Sequence, residues 1–171
     1  MHYAVFHTRL GWMTVAGTNG GITGVTLPSS SVSDSLDRLC AKMRVHPPSM
    51  HEVEPQTFGT LPDRLAAFMD GEIVPLEDEI DRSGWTDFRS RIWDATRRIP
   101  YGETRSYAWV AAEAGQPLAC RAAGQALHNN PVPVLVPCHR VIGADGGLTG
   151  FGERLELKQL LLSMEAGRVV S

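Results

Sequence analysis

The residues best suited to chemistry are neighbours, Cys138 and His139, within the run Pro137-Cys138-His139-Arg140. A thiolate is a strong nucleophile, but a free thiol with a pKa near ~8.5 is mostly protonated at neutral pH. An adjacent imidazole with an acidic partner is the usual means of activating it. The residue types alone leave two interpretations open, an activated nucleophile or a buried cysteine beside a surface histidine.

The other cysteines bear on the redox state and on metal binding. Three cysteines, an odd number without Cys-x-x-Cys spacing, indicate reduced thiols in a cytoplasmic protein rather than a disulfide framework or a zinc finger. Cys40 is the only thiol of the first half, and the four histidines there show no ligand spacing, so we expect no metal site. We also expect no transmembrane helix and no signal peptide, because the required apolar runs are missing.

Charge is distributed unevenly along the chain. Residues 1–83 carry 6 Lys and Arg against 11 Asp and Glu, whereas residues 84–171 carry 10 against 8. Phosphates would be repelled by the acidic half, so a nucleic-acid surface is expected only in the second half. Because that half is only mildly basic, phosphate contacts would have to come substantially from backbone N–H groups and helix N-termini.

The first half has the pattern of strands followed by helices. Apolar residues alternate with polar or small ones across residues 3–27. Asn19-Gly20-Gly21 in the middle of this stretch predicts a tight hairpin, because Asn and Gly accept positive φ. A helix capped by Ser33 and a second helix over residues 57–70 follow.

The second half changes to helical spacing. Thr86 can cap a first helix, and residues 155–166 predict a last one. Between them, residues 106–114 and 118–128 predict two short helices joined by a glycine-containing turn. That arrangement is typical of a helix-turn-helix, although an ordinary αα-hairpin has the same pattern.

Six short elements of the second half, read in order, resemble the O6-alkylguanine-DNA alkyltransferase family. The Pro-Cys-His-Arg run would be a weak match alone, but the elements keep the family order over about residues 86–166. The first half agrees only in its order of strands and helices. The elements are Ile99 to Thr104, Ser106-Tyr107, Arg121-Ala122, Asn130 to Pro133, Pro137 to Gly143 and Thr149-Gly150-Phe151, with Lys158 and Glu165 in the last helix.

The resemblance implies two domains and one reaction. Residues 1–83 would form an α/β support domain with a small antiparallel sheet and helices. Residues 84–171 would form a mainly helical, winged-helix-like domain with the helix-turn-helix, which binds DNA and accepts the alkyl group. The function implied is DNA repair, in which O6-alkylguanine is flipped from the duplex and its alkyl group passes irreversibly to Cys138 in a single turnover.

For this transfer the resemblance assigns a set of catalytic residues. His139 would be the general base for Cys138, by way of a water, and Glu165 would orient the imidazole. Tyr107 would donate to the N3 edge of the flipped base, and Asn130 would brace the turn that leads to the cysteine. Without the resemblance, Glu165 also fits a solvated carboxylate, Tyr107 a core tyrosine and Asn130 an ordinary turn asparagine.

The resemblance also assigns residues to the DNA surface and the alkyl pocket. Arg121 would fill the gap left by the flipped base, although alone it also fits a surface arginine that contacts phosphates. Tyr107 would lie on the same surface, and the small residues Ala122 and Gly124 would let the backbone approach the minor groove. The backbone carbonyls of Cys138 and Val141 would accept from the guanine amino group. The pocket would be lined by Pro133, Val141, Phe151 and Gly152.

The cofactor and partners follow from the same reasoning. Nothing in the sequence supplies a way to remove an alkyl group from a thioether, so we expect a single-turnover acceptor without a cofactor. The expected partner is double-stranded DNA containing O6-alkylguanine, approached from the minor groove, with no role for a membrane. We expect a cytoplasmic monomer that associates with the nucleoid when it binds DNA, and cooperative binding along DNA stays open.

The chain departs from the family pattern beside the predicted pocket. It continues as Gly152-Glu153-Arg154, where many members have small residues. Glu153 and Arg154 either narrow the pocket or point to solvent or DNA. Phe151 replaces the commoner tyrosine, and Gln125 stands where some members have glycine or another small residue.

Three other functions are compatible with parts of the sequence. A non-enzymatic damage sensor of the alkyltransferase-like type would lack the cysteine, which is present here. A cysteine hydrolase or acyltransferase would need an oxyanion hole and repeated turnover. A helix-turn-helix regulator would not need the Cys-His pair and would prefer one DNA sequence.

Overall fold

A computed structural model describes residues 1–151 and 154–167. The chain divides into two compact units. The first comprises Met1–Ser83 together with Pro131–Leu135, and the second comprises Gly84–Asn130 together with Val136–Ser171. Residues 131–135 therefore cluster with the first unit, although the sequence analysis assigned them to the second domain.

A four-stranded sheet in the order β3-β2-β1-β4 is the centre of the first unit. β1 (His2–Thr8), β2 (Gly11–Thr18) and β3 (Gly21–Val25) are antiparallel, and the short β4 (His51–Glu52) pairs parallel with β1. The predicted hairpin is confirmed, because β2 and β3 are joined by the two-residue turn Asn19-Gly20.

Two helices pack on this sheet. α1 packs through Leu39 and Cys40 against Ala16 of β2, and α2 contacts β1. Ser31 caps α1, since its Oγ accepts from the Asp34 backbone N–H at 3.1 Å. The predicted cap, Ser33, was wrong because it lies inside the first turn of the helix. The elements are α1 (Val32–Met43) and α2 (Leu61–Met69), with short 3-10 helices at Pro47–Ser49 and Pro55–Phe58.

The second unit is mainly helical. α3, α4 and α5 pack on one another, and Trp93 of α3 donates from Nε1 to the buried carbonyl of Ala126 in α5 at 3.1 Å. A two-residue parallel pair, β5 with β6, joins the start of α4 to the segment after the cysteine. The elements are α3 (Asp87–Arg97), β5 (Arg105–Ser106), α4 (Tyr107–Glu113), α5 (Cys120–His128), β6 (Val141–Ile142) and α6 (Leu155–Glu165).

Side-chain caps fix where these helices begin. Thr86 Oγ1 accepts from the Arg89 backbone N–H at 3.3 Å, and Ser106 Oγ accepts from the Trp109 N–H at 3.1 Å. Both caps satisfy backbone donors that would otherwise have no partner in the first turn. α4, the turn and α5 form the predicted helix-turn-helix, with α5 beginning at Cys120 instead of residue 118.

The predicted fold class is confirmed, an α/β first unit and a mainly helical second unit with a helix-turn-helix. Across residues 1–151 and 154–167, no helix has the length and apolar character that crossing a membrane requires.

Candidate active site

Cys138 lies on a tight turn that its neighbours shape. It begins the 3-10 turn Cys138–Arg140, and its backbone N–H donates to Val136 O at 2.7 Å across Pro137. Pro137 has φ −78° and ψ 65°, the geometry of an inverse γ-turn. Cys138 is 8% exposed, so its thiol lies at the edge of the protein interior with limited access to solvent.

His139 and Glu165 form a short buried pair. His139 Nε2 lies 2.6 Å from Glu165 Oε1, and both side chains are almost completely inaccessible. The ionised carboxylate only accepts hydrogen bonds, so Nε2 carries the proton that it receives. In the neutral ring, Nδ1 is then the basic nitrogen, which can take a proton from a thiol.

Arg140 clamps the same carboxylate from another side. Its Nε donates to Oε2 of Glu165 at 2.9 Å and its Nη2 donates to Oε1 at 3.0 Å, while Nη1 donates to the Ile99 carbonyl at 2.8 Å. Gly102 adds a backbone N–H to Oε2 at 3.1 Å. Gly102 has φ +78°, a conformation that glycine adopts without strain, and it allows the turn to present this N–H.

These contacts decide the charge states of the pair. Burial alone would raise the pKa of Glu165, but the hydrogen bonds from His139 and Arg140 outweigh it and lower the pKa to about 2. Burial lowers the pKa of His139, against the opposing effect of Glu165. At neutral pH the carboxylate is therefore ionised and the imidazole is neutral, the state that a general base needs.

Asn130 is hydrogen-bonded to the segment that leads into the cysteine turn. Its side chain is buried, and Nδ2 donates to the Val136 carbonyl at 2.9 Å. Val136 O also receives the Cys138 N–H, so one carbonyl connects the asparagine to the cysteine. Loss of the amide would leave buried polar atoms unsatisfied, which is costly in a protein interior.

Tyr107 is brought to the cysteine motif by the β5–β6 pair. Ser106 pairs with Ile142, which places Tyr107, the first residue of α4, next to the segment that follows the cysteine. The Tyr107 hydroxyl donates to the Thr149 carbonyl at 2.9 Å. Burial raises the pKa of Tyr107, and the nearby Cys138 adds to the effect, so the phenol remains a donor at neutral pH.

Lys158 is a site residue to which the sequence analysis gave no role. It is fully buried, and Nζ donates to Val141 O at 2.5 Å and to Thr149 O at 2.8 Å. Burial lowers its pKa to about 8, although Cys138 acts in the opposite direction. Lys158 and Glu165 are seven residues apart in α6, and this spacing indicates that they share one face of the helix. The resemblance included Lys158 among the matching residues but assigned it no function.

The four residues predicted to line the alkyl pocket belong to different segments of the chain. The Val141 carbonyl accepts from Lys158, and its second lone pair remains compatible with a guanine amino group. The Phe151 ring lies with its centroid 5.5 Å from Lys158 Nζ. Pro133 belongs to the first unit, whereas Gly152 lies outside the described residues, together with Glu153. The lining role of these four residues stays a prediction.

Three of the four predicted DNA-contact residues are on α5, and the fourth, Tyr107, is the first residue of α4. Arg121 and Ala122 are exposed at the start of α5. Gly124 is half-buried, and a Cβ added there would lie 3.7 Å from the Tyr107 ring, so this glycine faces the tyrosine. Over residues 1–151 and 154–167, no group of three or more His, Cys, Asp or Glu side chains is arranged to hold a metal ion.

Comparison with known families matches the second unit directly. The family model described as the DNA-binding domain of 6-O-methylguanine DNA methyltransferase matches residues 87–167. That range includes the helix-turn-helix, the Cys138–Arg140 turn and α6.

Similar proteins and structures extend the match to the whole chain. The methylated-DNA--protein-cysteine methyltransferase of Mycobacterium tuberculosis is 38% identical over 98% of this chain and 94% of its own length. The constitutive enzyme of that name from Bacillus subtilis is 36% identical over 96% and 94%. A crystal structure of the M. tuberculosis O6-methylguanine methyltransferase has a TM-score of 0.78 at 37% identity, covering 99% of this chain and 95% of that one.

A further structure of the M. tuberculosis protein, solved in complex with DNA, has a TM-score of 0.79 at 36% identity and covers 100% of this chain and 96% of that one. The resemblance predicted from the Cys-His motif and its companions is therefore confirmed. The chain belongs to the methylated-DNA--protein-cysteine methyltransferase family.

Proposed function

We propose that this protein repairs DNA by transferring the alkyl group from O6 of a modified guanine to the Sγ atom of Cys138. The observation that carries the assignment is the buried pair of side chains next to that thiol, in which Glu165 accepts a hydrogen bond from His139 at 2.6 Å. A thiol is activated when it lies next to a neutral base and that base is in turn oriented by an ionised group. The family's name, and a relative's structure in complex with DNA, support the substrate and the partner.

The transfer is a single displacement at the alkyl carbon. His139 takes the thiol proton at Nδ1, by way of a water as the family resemblance implies, and Glu165 stabilises the resulting imidazolium. The Sγ–C bond forms as the C–O6 bond breaks, and the electron pair stays on the guanine. Tyr107 donates a hydrogen bond to the N3 edge of that anion, and the proton taken from the thiol finally passes from His139 to the guanine.

Access to the reacting carbon requires the nucleotide to leave the base stack. Arg121 and Ala122 are exposed at the start of α5, the second helix of the helix-turn-helix. In a helix-turn-helix the start of the second helix meets the base edges, usually in the major groove. The family resemblance implies the minor groove here. We assign Arg121 to the gap left by the flipped base and the small residue Ala122 to close approach in the minor groove.

The product is a thioether, which no step of this mechanism cleaves. Each protein molecule therefore acts once. We further propose that it does so as a monomer in the cytoplasm and without a cofactor. Stoichiometry separates this function from that of a cysteine hydrolase or acyltransferase, which would turn over repeatedly.

The test is a titration of duplex DNA containing O6-methylguanine against a fixed amount of protein. We expect the amount of guanine restored to equal the amount of protein, and to stop there however long the mixture stands. A matched duplex without the lesion is the control and should leave the protein mass unchanged. Restoration that continues beyond one equivalent, or repeated hydrolysis of an ester substrate, would contradict the proposal.

A further inference from the structure

The Tyr107 hydroxyl already has an acceptor. It donates to the Thr149 carbonyl at 2.9 Å. A phenol carries one proton, so it can donate to only one acceptor at a time. The proposed function needs that proton at the N3 edge of the guanine. The hydroxyl therefore cannot serve Thr149 and the substrate together.

We propose that the Thr149 carbonyl is the resting acceptor of the Tyr107 hydroxyl and loses it when an alkylated guanine enters the site. This inference rests on the proposed function, since it requires the base to reach Tyr107. The exchange needs only a rotation about the bond between the ring and its oxygen, because the proton has a second in-plane position. The free protein thus keeps its donor hydrogen-bonded until the substrate replaces Thr149 as the acceptor.

Lys158 explains how the Thr149 carbonyl can lose this bond. Its buried Nζ donates to the same oxygen at 2.8 Å, so Thr149 O uses both lone pairs in the resting state. When the hydroxyl proton of Tyr107 rotates away, the oxygen still accepts from Lys158. Lys158 is itself anchored by its bond to Val141 O, so it stays in place during the exchange.

Two glycines leave room for the tyrosine ring at the position that this exchange requires. Gly150 has φ +82°, and a Cβ added there would overlap the Tyr107 hydroxyl oxygen, so only glycine lets the hydroxyl approach this closely. A Cβ added at Gly124 would lie 3.7 Å from the same ring. With the ring contacted by both segments, moving the proton is simpler than moving the ring.

The experiment follows the Thr149 carbonyl directly. Threonine labelled with 13C at the carbonyl and glycine labelled with 15N give signals only from Thr-Gly pairs, which occur at Thr23-Gly24 and Thr149-Gly150. The Thr23 signal comes from the first unit and serves as an internal reference. Spectra are recorded for Cys138→Ser, which keeps the lesion intact, free and with duplexes containing guanine or O6-methylguanine.

We expect the Thr149 carbonyl resonance to move upfield with the O6-methylguanine duplex, as a carbonyl does when it loses a hydrogen bond. Tyr107→Phe in the Cys138→Ser background should already show that shift without DNA. Adding the lesion duplex to this double variant measures any direct effect of the nearby base, and we expect little further change. The unmodified duplex should leave the Thr149 signal near its free position.

Two results would overturn the exchange. One is a Thr149 signal that is the same in the free Tyr107→Phe double variant as in Cys138→Ser, which would mean that no resting bond exists. The other is a Thr149 carbonyl chemical shift that does not change when the lesion duplex is added, although fluorescence anisotropy shows that binding is complete. If the wild-type protein still takes up the methyl group, either result leaves the proposed function standing. A wild-type protein that takes up no methyl group would remove both proposals.

Discussion

Lys158 and Glu165 are seven residues apart on the same buried face of α6, and they hold opposite ends of the segment that follows Pro137. Glu165 binds His139 and Arg140 in the cysteine turn, and Lys158 binds the carbonyl of Val141 in β6. Seven residues are about two helical turns, so one straight helix can brace both ends. The thiol of Cys138 is therefore positioned by α6, although it does not belong to that helix.

Replacing Glu165 with Gln should slow alkyl transfer by about 100-fold or more, because the amide cannot stabilise the imidazolium that forms at His139. Glu165 raises the pKa of His139 against the effect of burial, so its loss should also move the acidic limb of the rate profile to lower pH. Single-turnover rates as a function of pH measure both effects. Asp34→Asn, which removes a half-buried carboxylate paired with Arg38 in the first unit, is the control. An unchanged rate would contradict the orienting role.

Acid should destabilise the fold in two stages. The folded pKa of His139 lies below its ordinary value of 6.5, so the unfolded chain binds the extra proton first, and stability is lost as pH falls below about 6.5. The pKa of Glu165 falls from 4.5 to about 2, which adds a second loss, of the order of 3 kcal/mol, between those values. Urea unfolding at a series of pH values tests this, and stability that is flat from neutral pH to about pH 4 would contradict it.

Replacing Lys158 with Met should destabilise the second unit by about 1–3 kcal/mol, because the carbonyls of Val141 and Thr149 lose their buried donor. The methyl-transfer rate should fall as well, since the positive charge near Cys138 favours the thiolate. The pKa of about 8 predicts that the wild-type rate declines as the pH rises through that value, when the ammonium loses its charge. The Met variant should lack this alkaline decline, and a variant that keeps it would count against the assignment to Lys158.

Replacing Arg121 with Ala should weaken lesion binding and slow transfer from duplex DNA, while transfer from O6-methylguanine as a free base stays unchanged. The reason is that, in the proposed mechanism, this side chain acts on the duplex and not on the reacting atoms. Arg89→Ala, in α3 of the same unit, is the matched control for lost positive charge. If both substrates slowed equally, Arg121 would act on the chemistry instead of on the flipped base.

Local signals in the sequence were enough to predict the hairpin at Asn19-Gly20 and the two short helices that follow residue 105. The helix-turn-helix and the role of Cys138 and His139 were left open by those signals, and the family resemblance favoured them. These features depend on residues that are close together in the chain, or on a motif whose residue types suit one kind of reaction. The α1 cap was assigned to Ser33 instead of Ser31 because both are serines before an apolar run, and only the backbone conformation distinguishes them.

The contributions of Lys158 and Arg140 could not be predicted in the same way. Lys158 binds two backbone carbonyls, and Arg140 binds one in addition to Glu165. A carbonyl acceptor is present at every residue, so it leaves no mark in the sequence. The grouping of residues 131–135 with the first unit likewise depends on contacts between distant parts of the chain.

In the proposed mechanism Cys138 itself receives the alkyl group, and the mass of its peptide after the reaction is the decisive measurement of this transfer. Wild-type protein incubated with an O6-methylguanine duplex should carry one added methyl group, on the peptide that contains Cys138 and on no other. Cys40→Ser and Cys120→Ser should still be methylated, whereas Cys138→Ser should bind the lesion and gain no mass. A methyl group on Cys40 or Cys120, or an unmodified Cys138 in protein that has restored the guanine, would contradict the account.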